Sequence, residues 1–153
     1  MSARLVDPTL FHGPDGAAPA VLAGSRCAAD GTVVFPAQAS CPRCSGRDVE
    51  RVALPDRGVL WSWTVQHFRP RAPYRQDGEE FEPFAVGYVD LGDVVVEARL
   101  VLDPATGPEA LRIGMPMRLC RLPLWTDADG SAGLPLTDPH IVLGHAFEPE
   151  ATA

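Results

Sequence analysis

Two short motifs near the start of the chain share one frame and differ at a single position. Residues 41–46 read Cys-Pro-Arg-Cys-Ser-Gly, and residues 27–31 read Cys-Ala-Ala-Asp-Gly. In the motif at 27–31 the second cysteine of the pair is therefore replaced by an aspartate. Two chelating pairs on separate glycine-containing turns are typical of zinc ribbons, in which zinc accepts thiolate, imidazole or carboxylate ligands in a tetrahedral arrangement. The spacing predicts a structural zinc site with the ligands Cys27, Asp30, Cys41 and Cys44.

Two alternatives stay open for this site. Asp-Gly is a favoured turn dipeptide on backbone grounds alone, so Asp30 also fits a turn residue that binds no metal. A degenerate knuckle, which has lost the ion and keeps only its turns, fits the same residues.

The composition is that of a folded chain with many turns. Hydrophobic residues make up 46% of the 153 residues and charged residues 22%, which allows a packed core. Sixteen prolines and fourteen glycines favour short strands over long helices. The sequence has neither an apolar run of membrane-spanning length nor a secretory signal pattern at its start, which predicts a protein outside the membrane. Three cysteines at ligand spacing and an isolated Cys120 favour a reducing cytoplasm over a disulfide framework.

The net charge is unfavourable for nucleic-acid binding. It is −7, and all thirteen basic residues are arginines. A protein that binds DNA or RNA needs a basic face to neutralise phosphates, so we predict no nucleic-acid partner. A single-strand nucleic-acid binder nevertheless stays a rival interpretation, because zinc ribbons and small β-barrels occur in such proteins.

Alternation of apolar and polar residues predicts a mainly β chain. The predicted strands are 20–27, 32–35, 48–54, 58–67, 83–91, 94–101, a segment entered at 113–116 that ends at 122, and 140–147. The last five strands, with a break between the third and the fourth, predict a five-stranded Greek-key barrel of the OB type. Residues 125–139 are predicted to be a polar loop. Strand parity places Trp61 and Trp63 on one face and predicts that both lie in the barrel core.

The order of several fragments resembles a known family. Besides the two motifs, the fragments are Arg26, Phe35-Pro36, the Gly-x-Leu-x-Ser-x-Thr pattern at 58–64, and residues 83–91, 111–116 and 146–149. Together they are similar to the acyl-CoA-associated zinc-ribbon/OB-fold family, formerly catalogued as a domain of unknown function. The resemblance extends from about residue 20 to residue 149. Asp30 departs from the family pattern, which has cysteine there.

This resemblance implies an architecture and a role. The fold would be a rubredoxin-like zinc ribbon followed by a five-stranded OB-fold barrel. The implied divisions are an N-terminal arm (1–19), the ribbon (20–54), the barrel (55–149) and a tail (150–153). Members of the family are accessory subunits of thiolase-like enzymes of lipid metabolism, namely thiolases, acyltransferases and steroid side-chain aldolases. The subunit would stabilise its partner and help shape the channel for the CoA thioester, which the two proteins bind jointly.

The sequence has no recognisable catalytic constellation, but one loop is a candidate contact. Residues 68–82 are longer than a hairpin needs and carry three arginines, whose guanidinium groups match phosphate oxygens. We therefore predict that this loop contacts CoA or the partner through Arg69, Arg71, Arg75 and the neighbouring His67. A solvated loop, in which three glutamates balance the arginines, is the simpler alternative. A stand-alone small acyl-CoA enzyme is the second rival to the accessory role.

Overall fold

Short strands make up nearly all of the regular structure. The computed structural model describes residues 2–13, 21–128 and 140–151. The strands are β1 (Ser2–Leu5), β2 (Phe11–His12), β3 (Val21–Cys27), β4 (Val33–Val34), β5 (Val49–Ala53), β6 (Arg57–Gln66), β7 (Phe84–Asp90), β8 (Val95–Leu100), β9 (Pro116–Asp127) and β10 (His140–Pro149). Two short 3-10 helices span Pro8–Leu10 and Gly107–Ala110. Neither has the length and apolarity that crossing a membrane would take, and the described ranges contain no other helix.

β3 is the central strand of the ribbon sheet. It pairs in antiparallel fashion with β2, β4 and β5. A side chain on Gly24 of this strand would lie 2.7 Å from the backbone oxygen of Val34 and 2.8 Å from a methyl carbon of Leu54. Glycine therefore allows β4 and the end of the ribbon to close directly over β3.

The strands β6 to β10 close into a barrel. β6 pairs with β7 and β9, β7 pairs with β8, and β9 pairs with β10, all in antiparallel fashion. The ring is completed by a parallel pairing of β10 with β8 at Ala146 and Phe147. The prediction of a mainly β chain with a five-stranded OB-type barrel is confirmed.

The ribbon and the barrel share one apolar core. Leu22 and Val33 of the ribbon belong to the same buried cluster as Leu60 and Phe147 of the barrel. At the surface, the guanidinium of Arg26 in β3 forms an ion pair of 3.0 Å with Asp93 in the turn between β7 and β8. The ribbon is therefore joined to the barrel by shared core residues and by one ion pair at the surface.

Residues 2–13 of the predicted arm are distributed over both sheets. β1 lies alongside β10 in parallel register, and β2 pairs with β3. Residues 14–19 of the predicted arm and residues 152–153 of the predicted tail lie outside the described residues. The proposed domain boundaries stay predictions.

The predicted core position of Trp61 is wrong. Leu60 is fully buried, whereas Trp61 is 58% exposed and contacts Tyr88 edge-on at a centroid distance of 6.0 Å. The pairing of β6 with β7 shifts register between Leu60 and Ser62, which is the mark of a β-bulge at Trp61. The extra residue reverses the alternation, so that Trp63, beyond the bulge, again packs against the core.

The prediction of a loop from residue 125 is wrong at its start. β9 continues to Asp127 because Trp125, Thr126 and Asp127 pair with the first residues of β10. Residues 129–139 of this predicted loop lie outside the described residues.

Because of the bulge, the neighbouring residues Leu60 and Trp61 of β6 contribute very differently to stability. We expect Leu60→Ala to lower the free energy of unfolding by about 2–5 kcal/mol, because it leaves a cavity in the common core. Trp61→Ala should cost about 1 kcal/mol or less, since it removes one exposed aromatic contact. Denaturant unfolding of both variants at the same metal content measures the difference. Equal losses would contradict a bulge that turns Trp61 away from the core.

Candidate metal centre

The turn after β3 forms the first of two knuckles. The backbone N–H of Gly31 donates to the carbonyl oxygen of Cys27 at 2.9 Å, and the N–H of Cys27 donates to the carbonyl oxygen of Thr32 at 2.9 Å. Gly31 has a left-handed conformation, with φ of 74°. This conformation turns the chain back so that the side chains of Cys27 and Asp30 point to the same side.

The second knuckle repeats this pattern bond for bond. The N–H of Ser45 donates to the carbonyl oxygen of Cys41 at 2.9 Å, and the N–H of Cys41 donates to the carbonyl oxygen of Gly46 at 2.8 Å. Ser45 takes the place of Gly31 and is also left-handed, with φ of 62°. In this correspondence Asp30 occupies the position of Cys44.

Four side chains of the two knuckles converge on one point. One ligand atom from each of Cys27, Asp30, Cys41 and Cys44 lies within 4.8 Å of the others. The sulfurs of Cys27 and Cys44 are 3.7 Å apart, and the sulfur of Cys41 is 3.5 Å from Oδ2 of Asp30. Tetrahedral zinc with ordinary bond lengths separates two thiolates by about 3.8 Å and a thiolate from a carboxylate oxygen by about 3.5 Å. The distances fit a zinc ion with three thiolates and one carboxylate.

Backbone groups favour the ionised form of Asp30. The N–H of Thr32 donates to Oδ1 of Asp30 at 2.9 Å, and this hydrogen bond holds the pKa of the carboxyl well below its usual range. The same bond closes a turn, so Asp30 serves the backbone in any case. Its second oxygen, Oδ2, faces Cys41.

The three thiols lie close enough together to affect one another's ionisation. Hydrogen bonds from the backbone N–H groups of Cys44 and Arg43 lower the pKa of Cys41. At Cys44 the hydrogen bond from the N–H of Gly46 acts in the same direction, but the adjacent thiols of Cys27 and Cys41 outweigh it and raise the pKa to about 11. A bound cation reverses this balance, because a coordinated thiol is held as the thiolate.

The other predicted site residues lie on or beside the loop between β6 and β7, and only two of them line a cleft. Arg69 and Arg75 line one small cleft beside Trp125. Arg69 donates weakly to carbonyl oxygens of its own loop, and the guanidinium of Arg75 lies 5.9 Å from the ring centroid of Trp125. His67 and Arg71 are exposed and lie outside the two main clefts of the described residues. Their contact with CoA or a partner stays a prediction.

Sequence reasoning missed the most enclosed residues beside this loop. Tyr74, Phe84 and Arg99 line a larger cleft together with Trp125. Arg99 alternates with Glu97 on the outward side of β8, so the sequence alone does not distinguish it from an ordinary surface arginine. Which residues of a long loop turn back onto the barrel depends on tertiary contacts, and strand periodicity does not reveal these.

Comparison with known proteins places these two units in one family. The model of the ChsH2 rubredoxin-like zinc ribbon domain matches residues 15–50, and that of the ChsH2 C-terminal OB-fold domain matches residues 51–121. The chain belongs to the ChsH2 zinc-ribbon/OB-fold family. The resemblance seen in the sequence is confirmed. The prediction that a rubredoxin-like zinc ribbon precedes the barrel is confirmed as well.

Three relatives have descriptive names. The chain is 38% identical over 85 residues to the benzoylsuccinyl-CoA thiolase subunit BbsA of Thauera aromatica. The aligned region covers 55% of this chain and 54% of BbsA. It is 30% identical over 117 residues to a probable enoyl-CoA hydratase alpha subunit of Thermomonospora curvata, covering 76% of this chain and 33% of that protein. It is 26% identical over 130 residues to a DUF35 domain-containing scaffold protein of Pyrococcus furiosus, covering 84% and 82%. The chain thus spans about half of BbsA and a third of the hydratase subunit.

A solved structure has a similar fold. It is described as the Ltp2-ChsH2(DUF35) aldolase, and it matches with a TM-score of 0.54 at 28% identity over 84% of each chain. The likeness therefore includes both the ribbon and the barrel of this ChsH2-family chain.

The correspondence of the knuckles makes Gly31 and Ser45 a matched pair for mutation. Gly31→Ala should lower the free energy of unfolding by about 1 kcal/mol, because a side chain is strained at positive φ while the space around it is open. Ser45→Gly should leave stability unchanged or raise it by up to about 1 kcal/mol for the same reason. Unfolding of both variants at equal metal content tests this pair. A stabilising Gly31→Ala would show that the first knuckle is not left-handed at this residue.

Proposed function

We propose that this chain is a non-catalytic accessory subunit of a thiolase-like complex that acts on acyl-CoA thioesters. The observation that carries the proposal is the likeness to the Ltp2-ChsH2(DUF35) aldolase over 84% of both chains. BbsA, which is named as a thiolase subunit, and the scaffold protein of Pyrococcus furiosus support the same role. In this proposal the partner performs the chemistry, and the protein works in the cytoplasm.

The proposed metal is a structural zinc ion bound by Cys27, Asp30, Cys41 and Cys44. Four protein ligands fill a tetrahedral shell, so such an ion has no open position at which a substrate would react. Zinc bound there joins the two knuckles and fixes the end of the ribbon. The proposed role of the ion is therefore to maintain the shape of this end of the ribbon.

An exposed apolar patch on the barrel supports a role in assembly. Trp61 and Tyr88 contact each other on the outer wall, and Val59 and Val95 flank them, since both pair with Asp90. All four side chains are more than 40% exposed. Asp90 lies between the two valines, so the patch is apolar around one carboxylate. Exposed apolar residues grouped in this way, aromatic ones above all, are typical of protein–protein interfaces. We assign this patch to the thiolase-like partner.

The loop of residues 68–82 is the proposed contact with the CoA thioester or the partner. Arg69 and Arg75 are near enough to each other to line one cleft, and His67 and Arg71 are exposed on the same connection. Guanidinium groups at such a place suit the phosphates of CoA. A CoA thioester held between two proteins would then be bound jointly.

One comparison favours a second candidate function. The hydratase relative is named as an enzyme subunit, and this chain matches a third of its length. In this alternative the chain contributes directly to the hydration of an enoyl-CoA. Binding to single-stranded nucleic acid has less support, because the net charge of −7 opposes contact with a phosphate backbone.

The zinc proposal predicts one ion per chain in protein purified without added metal. Asp30→Asn separates the ligand from the turn residue, because the amide oxygen still accepts the hydrogen bond from Thr32 while the carboxylate is lost. If Asp30 is a ligand, zinc affinity should fall at least about tenfold. Competition with a chromophoric chelator measures this affinity, and Cys120→Ser is the matched control that should leave it unchanged.

The thiolate count offers an independent readout of the same site. With Co²⁺ in place of zinc, the thiolate charge-transfer band should correspond to three thiolates in the native protein and to four in Asp30→Cys. An Asp30→Asn variant with native zinc affinity and an unchanged cobalt spectrum would reduce Asp30 to a turn residue.

The accessory role predicts activity only in a complex. We expect the chain to co-purify with a thiolase-like protein encoded beside its gene, and acyl-CoA turnover to require that protein. Turnover is measured for the chain alone, the partner alone and both together. Turnover of an acyl-CoA or hydration of an enoyl-CoA by the chain alone at enzyme-like rates would refute the accessory role.

The assigned interface is tested in the same assembly. Trp61→Glu should weaken the complex at least about tenfold, because it buries a charge against the partner. Val6→Glu is the matched control, since Val6 is also an exposed apolar residue but follows β1, outside both the patch and the long loop. Equal affinity of both variants for the partner would remove the patch from the interface while leaving the subunit role intact.

A further inference from the structure

An open cleft lies between the long loop and the outer wall of the barrel. Its volume is about 940 Å³, which is within the roughly 300–1,000 Å³ of small-molecule sites. Tyr74 of the loop stacks on Phe84 of β7 at a centroid distance of 6.1 Å with an interplanar angle of 14°. Trp125 of β9 forms another part of the lining. Three aromatic rings therefore line part of the cleft, beside polar and charged side chains.

The loop is tied to the barrel at one side of this cleft. The carboxylate of Asp77 accepts hydrogen bonds from the backbone N–H and from the hydroxyl of Thr126, each at 2.9 Å. Next to it, Arg75 lies over the ring of Trp125. These contacts join the loop to β9, so the cleft is formed before any ligand arrives.

Two buried N–H donors of the lining have no hydrogen-bond partner among the described residues. They are Nε of Arg99 and Nε1 of Trp125. The guanidinium carbon of Arg99 lies 3.6 Å from the ring centroid of Phe84. Burial lowers the pKa of this arginine although its guanidinium also hydrogen-bonds Tyr74, so Nε is the donor that lacks a partner. A buried donor without an acceptor is costly, and native structures seldom keep one without a reason.

The charges around the cleft decide which kind of acceptor fits. The lining contains four carboxylates, from Asp77, Glu79, Glu80 and Glu82, against two guanidinium groups. The cleft lies on the second and third strands of the barrel and their preceding loop, where OB folds commonly bind ligands. An excess of carboxylates disfavours oligonucleotides and small anions there. An uncharged carbonyl oxygen satisfies the donors without this repulsion.

We propose that the cleft binds a compact apolar molecule that bears an uncharged carbonyl group. Arg99 and Trp125 donate to the carbonyl oxygen, and the rings of Tyr74 and Phe84 contact the apolar body. This chemistry is shared by ketones and by the acyl end of a thioester. The inference is independent of the accessory role, because every group of the site belongs to this chain alone.

Four small probes of one ring size test the proposal on the full-length, zinc-loaded chain. They are acetophenone, S-methyl thiobenzoate, benzoate and ethylbenzene. Binding is followed by NMR through the indole N–H signal of Trp125, which is assigned by its loss in Trp125→Phe. In that variant, which lacks the indole, binding is followed through the backbone N–H signal of Gly78 in the same lining. We expect acetophenone to shift this signal and to bind at least about fivefold tighter than ethylbenzene or benzoate, since neither of these offers an uncharged acceptor. The thioester probe distinguishes the two sources of the carbonyl.

Two variants with a matched control connect the binding to the named donors. Arg99→Met and Trp125→Phe each remove a donor and keep an apolar side chain, and each should weaken acetophenone binding about fivefold. Arg112→Met is the matched control, because Arg112 is exposed and lies outside the cleft, and it should bind as the native chain does. The proposal is overturned if ethylbenzene or benzoate binds as well as acetophenone, if both donor variants retain full affinity, or if no probe shifts the Trp125 signal at millimolar concentration.

Discussion

The structure depends on one continuous apolar core that joins the ribbon to the barrel. A ribbon of this size buries too little apolar surface to be stable alone. Leu22 of β3 packs in the same cluster as Leu60 and Phe147 of the barrel, and Gly24 lets the neighbouring strands close over it. The barrel thereby supplies the core that the ribbon lacks. The knuckles at the far end of β3 carry the four candidate metal ligands.

This arrangement separates three surfaces by their chemistry. The tip of the ribbon collects three thiols and a carboxylate, and the wall of β6 and β7 exposes an aromatic pair. The cleft under the long loop combines three aromatic rings with two N–H donors that have no partner among the described residues. Because a bulge turns Trp61 outward, the barrel keeps a filled core while presenting a large aromatic ring to solvent. The same strand therefore stabilises the fold on one side and exposes an aromatic surface on the other.

The two knuckles show why an aspartate is compatible with a cysteine position. The backbone hydrogen bonds that shape both turns come from main-chain groups and do not depend on the ligand. A side chain with an acceptor atom at the fourth position is all that the turn requires. Asp30 meets this requirement through Thr32 and still directs an oxygen toward Cys41.

The local pattern of this sequence determined the positions of the four candidate ligands, the strands β5 to β8 and the OB-type order of the barrel. These follow from short-range rules, since turn spacing and strand alternation are written in neighbouring residues. The tertiary structure alone decided that Trp61 faces solvent, that β9 runs on to Asp127, and that Arg99 and Trp125 line one cleft. The position of a bulge, the end of a strand and the surface on which a loop packs depend on residues that are distant in the chain. Strand register and tertiary packing determine them, and a local sequence pattern contains neither.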